Sequence, residues 1–442
     1  MRVNREVVRE YAAGSLWLLP SVSALVALLL GWAVSGFNIG PESKWARFAF
    51  QGTADDARAL LIAVTSTVVT VMALVLGLTV VALQLSSTQF SPRLLRNFIR
   101  DRPNQVALSV FSAAFVYSAA GLYTVGVAAG ARTEAYPRLA VTGALILLFA
   151  TLAMVVYFAD HLAHSIQIDA ITKRVEVSTL LVARGRLGTA EHTTPAPPEW
   201  AVPLPSLHSG YVQKVHPEEL LPLASRHRVT LRLAPRVGEH VVAGTTIGWV
   251  WRSNQDDPAP DRAAFAAVVD AAVRIGFERT LEQDAAFGIR QLVDVACKAL
   301  SPAVNDPYTA IQSIDHMSVI FCALAARPLG DYLLVDDSSG GAVVIPGRRF
   351  GDYLSTMCGL VRRYGSKEPT VSVALLRLLS QCAGIVGDDA DRCTAIDEQA
   401  RLILDDATRD IAQPADLEPV RAAAAAVHLI VEDRRSTDAR SD

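Results

Sequence analysis

The residues best suited to chemistry lie in one segment, 279–310, which reads RTLEQDAAFGIRQLVDVACKALSPAVNDPYTA. Arg290 and Asp294 stand four residues apart, where opposite charges pair on a helix. Three roles are open to the segment: buried polar packing with helix caps, a polar groove for assembly or for a ligand, and catalysis. The candidate groove residues are Arg279, Gln283, Asp284, Arg290, Gln291, Asp294, Asn305 and Asp306.

The spacing within this segment argues against catalysis. If the segment forms one helix, Thr280, Asp284 and Gln291 share a stripe, and Asp284 lies nearly three turns from Asp294, too far to share a proton. Ser301-Pro302 and Asp306-Pro307 have the form of helix starts, with a capping side chain before proline. G-x-S-x-G, Walker, Rossmann and H-E-x-x-H sequences are missing. We predict that the protein is not an enzyme and uses no cofactor.

Potential metal ligands are few. His161 and His164 share a helix face at i and i+3, but spacing supplies no third ligand. The five cysteines lack C-x-x-C spacing, which predicts reduced core thiols. They are Cys297, Cys322, Cys358, Cys382 and Cys393. The sequence therefore predicts no metal site.

The second apolar stretch carries a face of small and hydroxylated side chains. Residues 59–92 are uncharged, 34 residues in all, or about 50 Å as a helix, longer than the hydrocarbon core. The face comprises Ser66, Thr70, Ala73, Gly77, Val81, Gln84 and Thr88. It either packs closely on another helix or lines a water-filled pore in an oligomer. Both interpretations predict that this face avoids lipid.

A basic segment follows directly. Ser91 can cap a helix that starts at Pro92, and Arg93, Arg96 and Arg100 then recur at helical spacing opposite apolar side chains. This pattern predicts an amphipathic helix on the inner leaflet, with its arginines towards anionic headgroups. The alternative is a vestibule that attracts anions or repels cations.

Three stretches of the chain resemble one known family. LQLSSTQFSPRLLRNFIRD at 83–101, SGYVQ at 209–213 and the segment 279–310 are together similar to a bacterial integral-membrane family catalogued as domain of unknown function 2254. The likeness extends from about residue 10 to residue 430. It implies four transmembrane helices and a cytoplasmic domain, and it implies no activity and no functional residues.

The elements that must position these residues follow from composition. Of 442 residues, 51% are apolar and 19% charged, and the mean hydropathy is +0.30, which is too apolar for a soluble protein of this size. A charge in the hydrocarbon core costs at least about 2.5 kcal/mol, so uncharged intervals mark the spans. They predict four transmembrane helices, near 14–35, 60–86, 105–130 and 139–159.

Charge placement predicts the orientation. Residues 1–165 hold 12 Lys/Arg against 8 Asp/Glu (+4), and the remainder holds 29 against 36 (−7), so no nucleic-acid partner is expected. Basic residues concentrate at the N-terminus, after the second helix and after the fourth. By the positive-inside rule, both termini are predicted to be cytoplasmic, in the bacterial plasma (inner) membrane.

The predicted fold is a polytopic α-helical membrane protein with a cytoplasmic α+β region. The string at 235–248 resembles the half-barrel turn of biotinyl and lipoyl domains without their modifiable lysine, which predicts a small β-barrel-like module and no cofactor. The expected parts are a membrane domain (1–165), a helical connector and Pro-rich linker (166–204), the β module (205–258), a mainly helical domain (259–434) with a hairpin near 332–346, and a polar tail (435–442).

Two functions fit these elements. An oligomeric ion channel or transport-related protein accounts for the overlong second helix, its small-residue face and its basic exit. It requires a homo-oligomer, because four helices seldom enclose a path alone and closed rings are the usual symmetry. The alternative is a membrane-anchored sensor or scaffold whose cytoplasmic domain binds a protein partner or a ligand. Both place the chain in a lipid bilayer.

Replacing Arg93, Arg96 and Arg100 with glutamine should weaken docking on anionic membranes by about 1 kcal/mol per charge, because each guanidinium is attracted to the headgroups. Titration of native and substituted peptides of residues 90–102 with anionic vesicles measures the difference. Equal binding of the two peptides would contradict the predicted inner-leaflet contact.

Overall fold

The computed structural model of this protein describes residues 15–35, 49–89, 102–125, 137–165, 167–185, 194–387 and 389–438. The chain divides between Ala170 and Ile171 into two compact units. The first unit is helical, and the second combines helices with two β-sheets.

Four long apolar helices build the first unit. They are α1 (Leu18–Ser35), α2 (Ala54–Gln89), α3 (Arg102–Thr124) and α4 (Arg138–Ser165). Each is long and apolar enough to cross a membrane, with a mean hydropathy between 1.6 and 2.6. The prediction of four apolar spans is therefore confirmed.

Helix α2 begins six residues earlier than hydropathy suggested, because a capping box sets its start. The Thr53 N–H donates to Asp56 Oδ2 (2.9 Å), and the Asp56 N–H donates back to Thr53 Oγ1 (3.2 Å). These bonds satisfy amides that lack helical partners. The first turns thus hold charged side chains at the end of an apolar helix.

Helix α3 lies at the centre of the first unit and packs against the other three helices. Glycines allow close approach: a Cβ on Gly143 would lie 2.3 Å from the Tyr117 hydroxyl, and one on Gly31 would lie 3.1 Å from the Ala120 Cβ. Ser23 Oγ also donates to the Ser109 carbonyl across α1 and α3 (3.1 Å). Small residues and hydroxyls thus bring these helices together.

The second unit alternates helices and strands before it becomes mostly helical. In chain order its elements are α5 (Ile168–Ala183), β1 (Val202–Pro205), β2 (Gly210–Val215), α6 (Pro217–His227), β3 (Thr230–Leu233), β4 (His240–Val241), β5 (Thr246–Trp251), α7 (Arg262–Ala272), β6 (Val273–Gly276), α8 (Ala285–Ala299), α9 (Pro307–Ala325), β7 (Tyr332–Asp336), β8 (Gly341–Ile345), α10 (Phe350–Gly365), α11 (Pro369–Ile385), α12 (Ala390–Asp410) and α13 (Pro414–Asp438).

The predicted β-barrel-like module was wrong, because the strands form two open sheets. One sheet has the order β1-β5-β3-β8-β7 and the other the order β4-β2-β6. Strand β3 pairs in parallel with β8, with Leu231 opposite Val343. The β7–β8 hairpin, which is distant in the chain, therefore extends this sheet, and the strands within 205–258 do not close on one another. Strand β6, inside a stretch expected to be helical, pairs with β2.

One apolar core joins the two sheets and two helices. Val212 of β2 and Leu231 of β3 are buried with Leu220 of α6 and Phe265 of α7. The helices after β6 pack on one another: α8 contacts α9 and α10, and α11 contacts α9 and α13. The segment 279–310 contains α8 and therefore lies inside the packed part of this unit.

Gly288 of α8 should not tolerate alanine, because its Cβ would lie 1.9 Å from Thr179 Oγ1 of α5. Such overpacking costs about 1–3 kcal/mol. Gly288→Ala should therefore lower the melting temperature of the full chain in detergent by several degrees. Adding Thr179→Ala should restore part of the loss.

Gly359→Ala is the matched control on α10, since a Cβ there meets no atom within 4 Å. The greater helix propensity of alanine predicts an unchanged or slightly higher melting temperature. Equal effects of Gly288→Ala and Gly359→Ala would contradict the close contact between α5 and α8.

Candidate functional site

The segment 279–310 is not one helix from its start. Residues 279–284 form a loop after β6, and α8 begins at Ala285 because the Asp284 side chain caps it: the Phe287 N–H donates to Asp284 Oδ1 (3.1 Å). The expected stripe that joined Thr280 and Asp284 to Gln291 on one helix was therefore wrong. Asp284 has helical spacing to Thr280 and Gln291 in the sequence, but it is the last residue of the loop and caps α8.

Asp284 and Arg279 form a buried ion pair in this loop. The Arg279 Nε and Nη2 groups donate to Asp284 Oδ2 at 2.9 and 2.7 Å, and Asp284 is 3% exposed. The guanidinium also lies 5.1 Å from the centre of the Phe287 ring, a cation–π distance. Both carboxylate oxygens of Asp284 are thus occupied, one by the helix cap and one by the arginine.

The turn before β4 approaches this carboxylate closely. Gly238 has φ of +88°, and a Cβ there would lie 2.0 Å from Asp284 Oδ2. Only glycine combines this left-handed conformation with the required space. The turn of the three-stranded sheet and the start of α8 are therefore in direct contact.

Burial controls the electrostatics of the site. It raises the pKa of Asp284, and the nearby Arg279 and Arg348 offset only part of that effect. Burial likewise raises the pKa of Tyr353 to about 12, which keeps the phenol protonated. A carboxylate held by a cap and an arginine beside a neutral phenol fits a structural junction better than an acid–base centre.

Gln283 and its neighbours join the loop to β2. The Val215 N–H donates to Gln283 Oε1 (2.9 Å), and Gln283 Nε2 donates to the Val215 carbonyl (3.1 Å). Gln213 Nε2 donates to the Glu278 carbonyl (2.7 Å). The amide of Gln283 thus acts as one more strand partner at the end of β2.

The other candidates make separate contacts. Arg290 Nε donates to Asp294 Oδ1 along α8 (2.8 Å), as the spacing indicated. Gln291 is 2% exposed, and its Oε1 accepts no hydrogen bond within the described part of the chain. The structure therefore brings Arg279 and Asp284 together without gathering all eight residues into one groove, whose role in assembly or ligand binding stays a prediction.

Asn305 and Asp306 start α9. Asn305 has φ of +51°, and Asp306 caps the helix by accepting from the Thr309 N–H (3.1 Å) and hydroxyl (2.6 Å). The bonds from Thr309 lower the pKa of Asp306. Ser301, by contrast, starts a turn and donates its hydroxyl to the Lys298 carbonyl (2.7 Å), so only the second of the two expected helix starts is present.

The small-residue face of α2 is turned away from the other described helices of the first unit. Its members Ser66, Thr70, Ala73, Gly77, Val81 and Gln84 are exposed. The opposite face is buried against α3 and α4, through Ala57, Leu61, Val64, Val68, Val75 and Ala82. Close packing among the described helices therefore does not account for the small residues. Thr88 belongs to α2, but its side chain lies outside the described residues.

The basic segment at 93–100 and the pair His161 and His164 are the remaining predicted sites. Arg93, Arg96 and Arg100 lie outside the described residues. His164 Nδ1 lies 2.9 Å from the Asp160 carbonyl, and the His161 ring stacks on Tyr157 at 6.2 Å. Among the residues that the structure describes, no group of three His, Cys, Asp or Glu side chains could hold a metal ion.

A second ion cluster, around the buried carboxylate of Glu176, was not evident from the sequence. Glu176 of α5 accepts from Lys173 Nζ (2.7 Å) and contacts His316 Nδ1 of α9 (2.5 Å). Burial raises the Glu176 pKa, but the bonds to His316 and Lys173 outweigh it, and the pKa falls. Spacing could indicate the Lys173–Glu176 pair, whereas no local signal joins Glu176 to a residue 140 positions away.

Residues 13–381 match a family described as "Predicted membrane protein (DUF2254)". Uncharacterized proteins of Mycobacterium bovis and Mycobacterium tuberculosis are each 42% identical to the chain over 435 residues. The alignments cover 97% of this chain and 83% of each relative. No solved structure matches the chain significantly.

Asp284→Ala should destabilise the protein more than Asp306→Ala, although both residues cap helices. Loss of a cap costs about 1 kcal/mol, while Asp284→Ala also removes the partner of Arg279 and should cost about 2–4 kcal/mol in all. Asp284→Asn keeps the cap acceptor and should cost less. Thermal unfolding of the full chain in detergent compares the three variants, and equal losses for the two alanine variants would refute a stabilising role for the Arg279 pair.

Proposed function

The chain belongs to the predicted membrane protein family DUF2254, and from this premise we propose that it assembles into an oligomeric ion channel in the bacterial plasma membrane. The second unit serves as a cytoplasmic assembly and regulatory domain, without enzymatic activity. The observation that carries the proposal is the exposed face of α2 from Ser66 to Gln84.

The composition of this face supports a water-filled path. None of the described helices covers this face between Ser66 and Val81, and a Cβ on Gly77 would find no described atom within 4 Å. The Thr70 hydroxyl donates to the Ser66 carbonyl of its own helix (2.9 Å), which leaves oxygen lone pairs directed outward for water or ions. Small side chains around an axis keep such a path wide enough to conduct.

The proposed path forms between chains, because the described helices of one chain pack closely on one another. Val64, Val68, Phe111 and Phe158 are fully or almost fully buried where α2, α3 and α4 meet. Closed cyclic symmetry would place the same α2 face of each copy around one axis. The face then avoids lipid, as both interpretations of its composition require.

The charge pattern supports a cytoplasmic position for the second unit. The basic residues after the second and fourth spans and at the N-terminus would share one side of the membrane, and the positive-inside rule assigns that side to the cytoplasm. The basic segment at 93–100 and the acidic second unit would then face the same compartment.

A specific observation also favours the second candidate, a membrane-anchored sensor or scaffold. Phe277, two residues before the segment 279–310, and Tyr308, within it, are 86% and 71% exposed. Exposed aromatic side chains are enriched at protein interfaces. A full-length protein that conducts no ions, while photo-crosslinkers at 277 and 308 capture one defined soluble protein in cells, would favour this function over the channel.

Gly77→Phe should lower the single-channel conductance at least several-fold, because its ring would enter the proposed path. The measurement uses full-length protein reconstituted into planar bilayers. Leu76→Phe is the matched control: Leu76 is also exposed (44%), but it lies about 100° around the helix from Gly77 and should leave conductance unchanged. Folded wild-type protein that conducts no ion at any voltage or membrane tension would overturn the proposed channel.

A further inference from the structure

Two helix N-termini in the second unit meet at one turn, residues 236–239 between β3 and β4. At the start of α8, a Cβ on Gly238 would lie 2.0 Å from Asp284 Oδ2. At the start of α10, Arg236 Nη1 lies 3.2 Å from Oδ2 of Asp352, which belongs to the first turn of that helix. Helices α8 and α10 also pack against each other. Because a helix N-terminus carries partial positive charge, two such ends act on this one region.

The aspartates at these two helix starts are already bound to arginines. Asp284 caps α8 and accepts from Arg279 Nε and Nη2 at 2.9 and 2.7 Å. Asp352 Oδ2 accepts from the Arg349 N–H (2.9 Å) and forms the ion pair with Arg236. Each aspartate therefore offsets the charge of one guanidinium.

Arg348, two residues before α10, has a charge that no such pair offsets. Its side chain is partly buried, and it forms no hydrogen bond or ion pair with the residues that the structure describes. Its charge reaches Asp284, which is already paired. Asp331, which accepts from the N–H of the residue before Arg348, is paired with Arg232. A guanidinium held beside two helix N-termini without a carboxylate of its own is suited to an external anion.

Tyr353, the fourth residue of α10, supplies a hydroxyl donor at the same place. The residue is 5% exposed, and the charges of Arg348, Arg236, Asp284 and Asp352 all act on its phenol. Within the described part of the chain, its hydroxyl makes no hydrogen bond. Buried phenol O–H groups usually have an acceptor. The free hydroxyl and the free guanidinium of Arg348 therefore both favour one anionic acceptor at this junction.

We propose that Arg348 and Tyr353 bind a phosphate group, with Arg236 and Arg279 as flanking cations. Phosphate fits this donor set, because a guanidinium donates two parallel N–H bonds to its oxygens and helix N-termini favour its charge. The protonated phenol donates a further bond to the same group. Two sources share this chemistry, a soluble phosphate compound and the headgroup of an anionic lipid, and the probes below distinguish them.

The test is isothermal titration calorimetry of the full-length protein in detergent at constant ionic strength, with pyrophosphate and dioctanoyl phosphatidic acid as separate probes. Wild-type protein should bind at least one of them. Binding of pyrophosphate assigns the phosphate to a soluble compound, and binding of phosphatidic acid alone assigns it to a lipid headgroup. Wild-type protein that binds neither probe at millimolar concentration would overturn the proposal. Because the measurement does not involve ion conduction, its result is independent of the proposed channel.

Variants locate the bound probe on the chain. Arg348→Gln should weaken binding at least about tenfold, because it removes a charge-assisted hydrogen-bond donor. Tyr353→Phe keeps the buried ring and loses only the hydroxyl, so it should weaken binding several-fold. Arg421→Gln is the matched control: it removes the same charge from a half-exposed position on α13 and should leave binding unchanged.

Two results would count against this location of the site. One is wild-type affinity in Arg348→Gln or in Tyr353→Phe, and the other is equal weakening by Arg348→Gln and Arg421→Gln. The two site variants act through different donors, so either one tests the proposal if the other does not fold.

Discussion

The cost of placing charge in hydrocarbon is the constraint on which the rest of this structure depends. It keeps ionisable side chains out of the central parts of the four apolar helices, where backbone groups bond within each helix. Hydroxyls in these helices follow the same rule: Thr65 donates to the Leu61 carbonyl and Thr79 to the Val75 carbonyl, both at 2.7 Å. The five cysteines and the buried ion pairs described above accordingly belong to the second unit.

In the second unit, burying a charge has a similar electrostatic cost, and ion pairs offset it. A buried carboxylate needs a cation and hydrogen-bond donors, and each such partner joins elements that are distant in the chain. Asp331 bonds to Arg232 of β3 at 2.8 Å, Asp406 of α12 contacts Arg362 of α10, and Glu176 joins α5 to α9. Asp284, whose pairing is local, is instead approached by the turn at Gly238. These contacts help to decide which helices and strands meet.

This use of charge bears on function. In the segment 279–310, Asp284 and Asp306 cap helices, and Asp284 and Asp294 pair with arginines. The composition of the segment therefore suggests a functional site, whereas its geometry is that of a structural junction. Two features of the described residues lie outside these pairs: an exposed face of α2 that no described helix covers, and the exposed side chains of Phe277 and Tyr308. An oligomeric membrane assembly would use the first of these.

Local patterns let the sequence determine the apolar spans and the cap at Asp306. Each depends on residues within a few turns of one another, such as an uncharged run or an aspartate before proline. Spacing also determined which residues share the small-residue face of α2. It could not determine that this face lies outside the bundle, because that depends on which side of α2 the other helices bury.

Only the tertiary structure decided the contacts between distant segments. Strand β3 pairs in parallel with β8 instead of closing the predicted barrel. Strand pairing depends on how shape and register fit, and the partner need not be near in the chain. The Glu176–His316 contact likewise has no local signature. A folded chain brings such residues together through its whole packing, so their chemistry arises from the fold, whereas hydropathy and capping act within one helix and are therefore visible in the sequence.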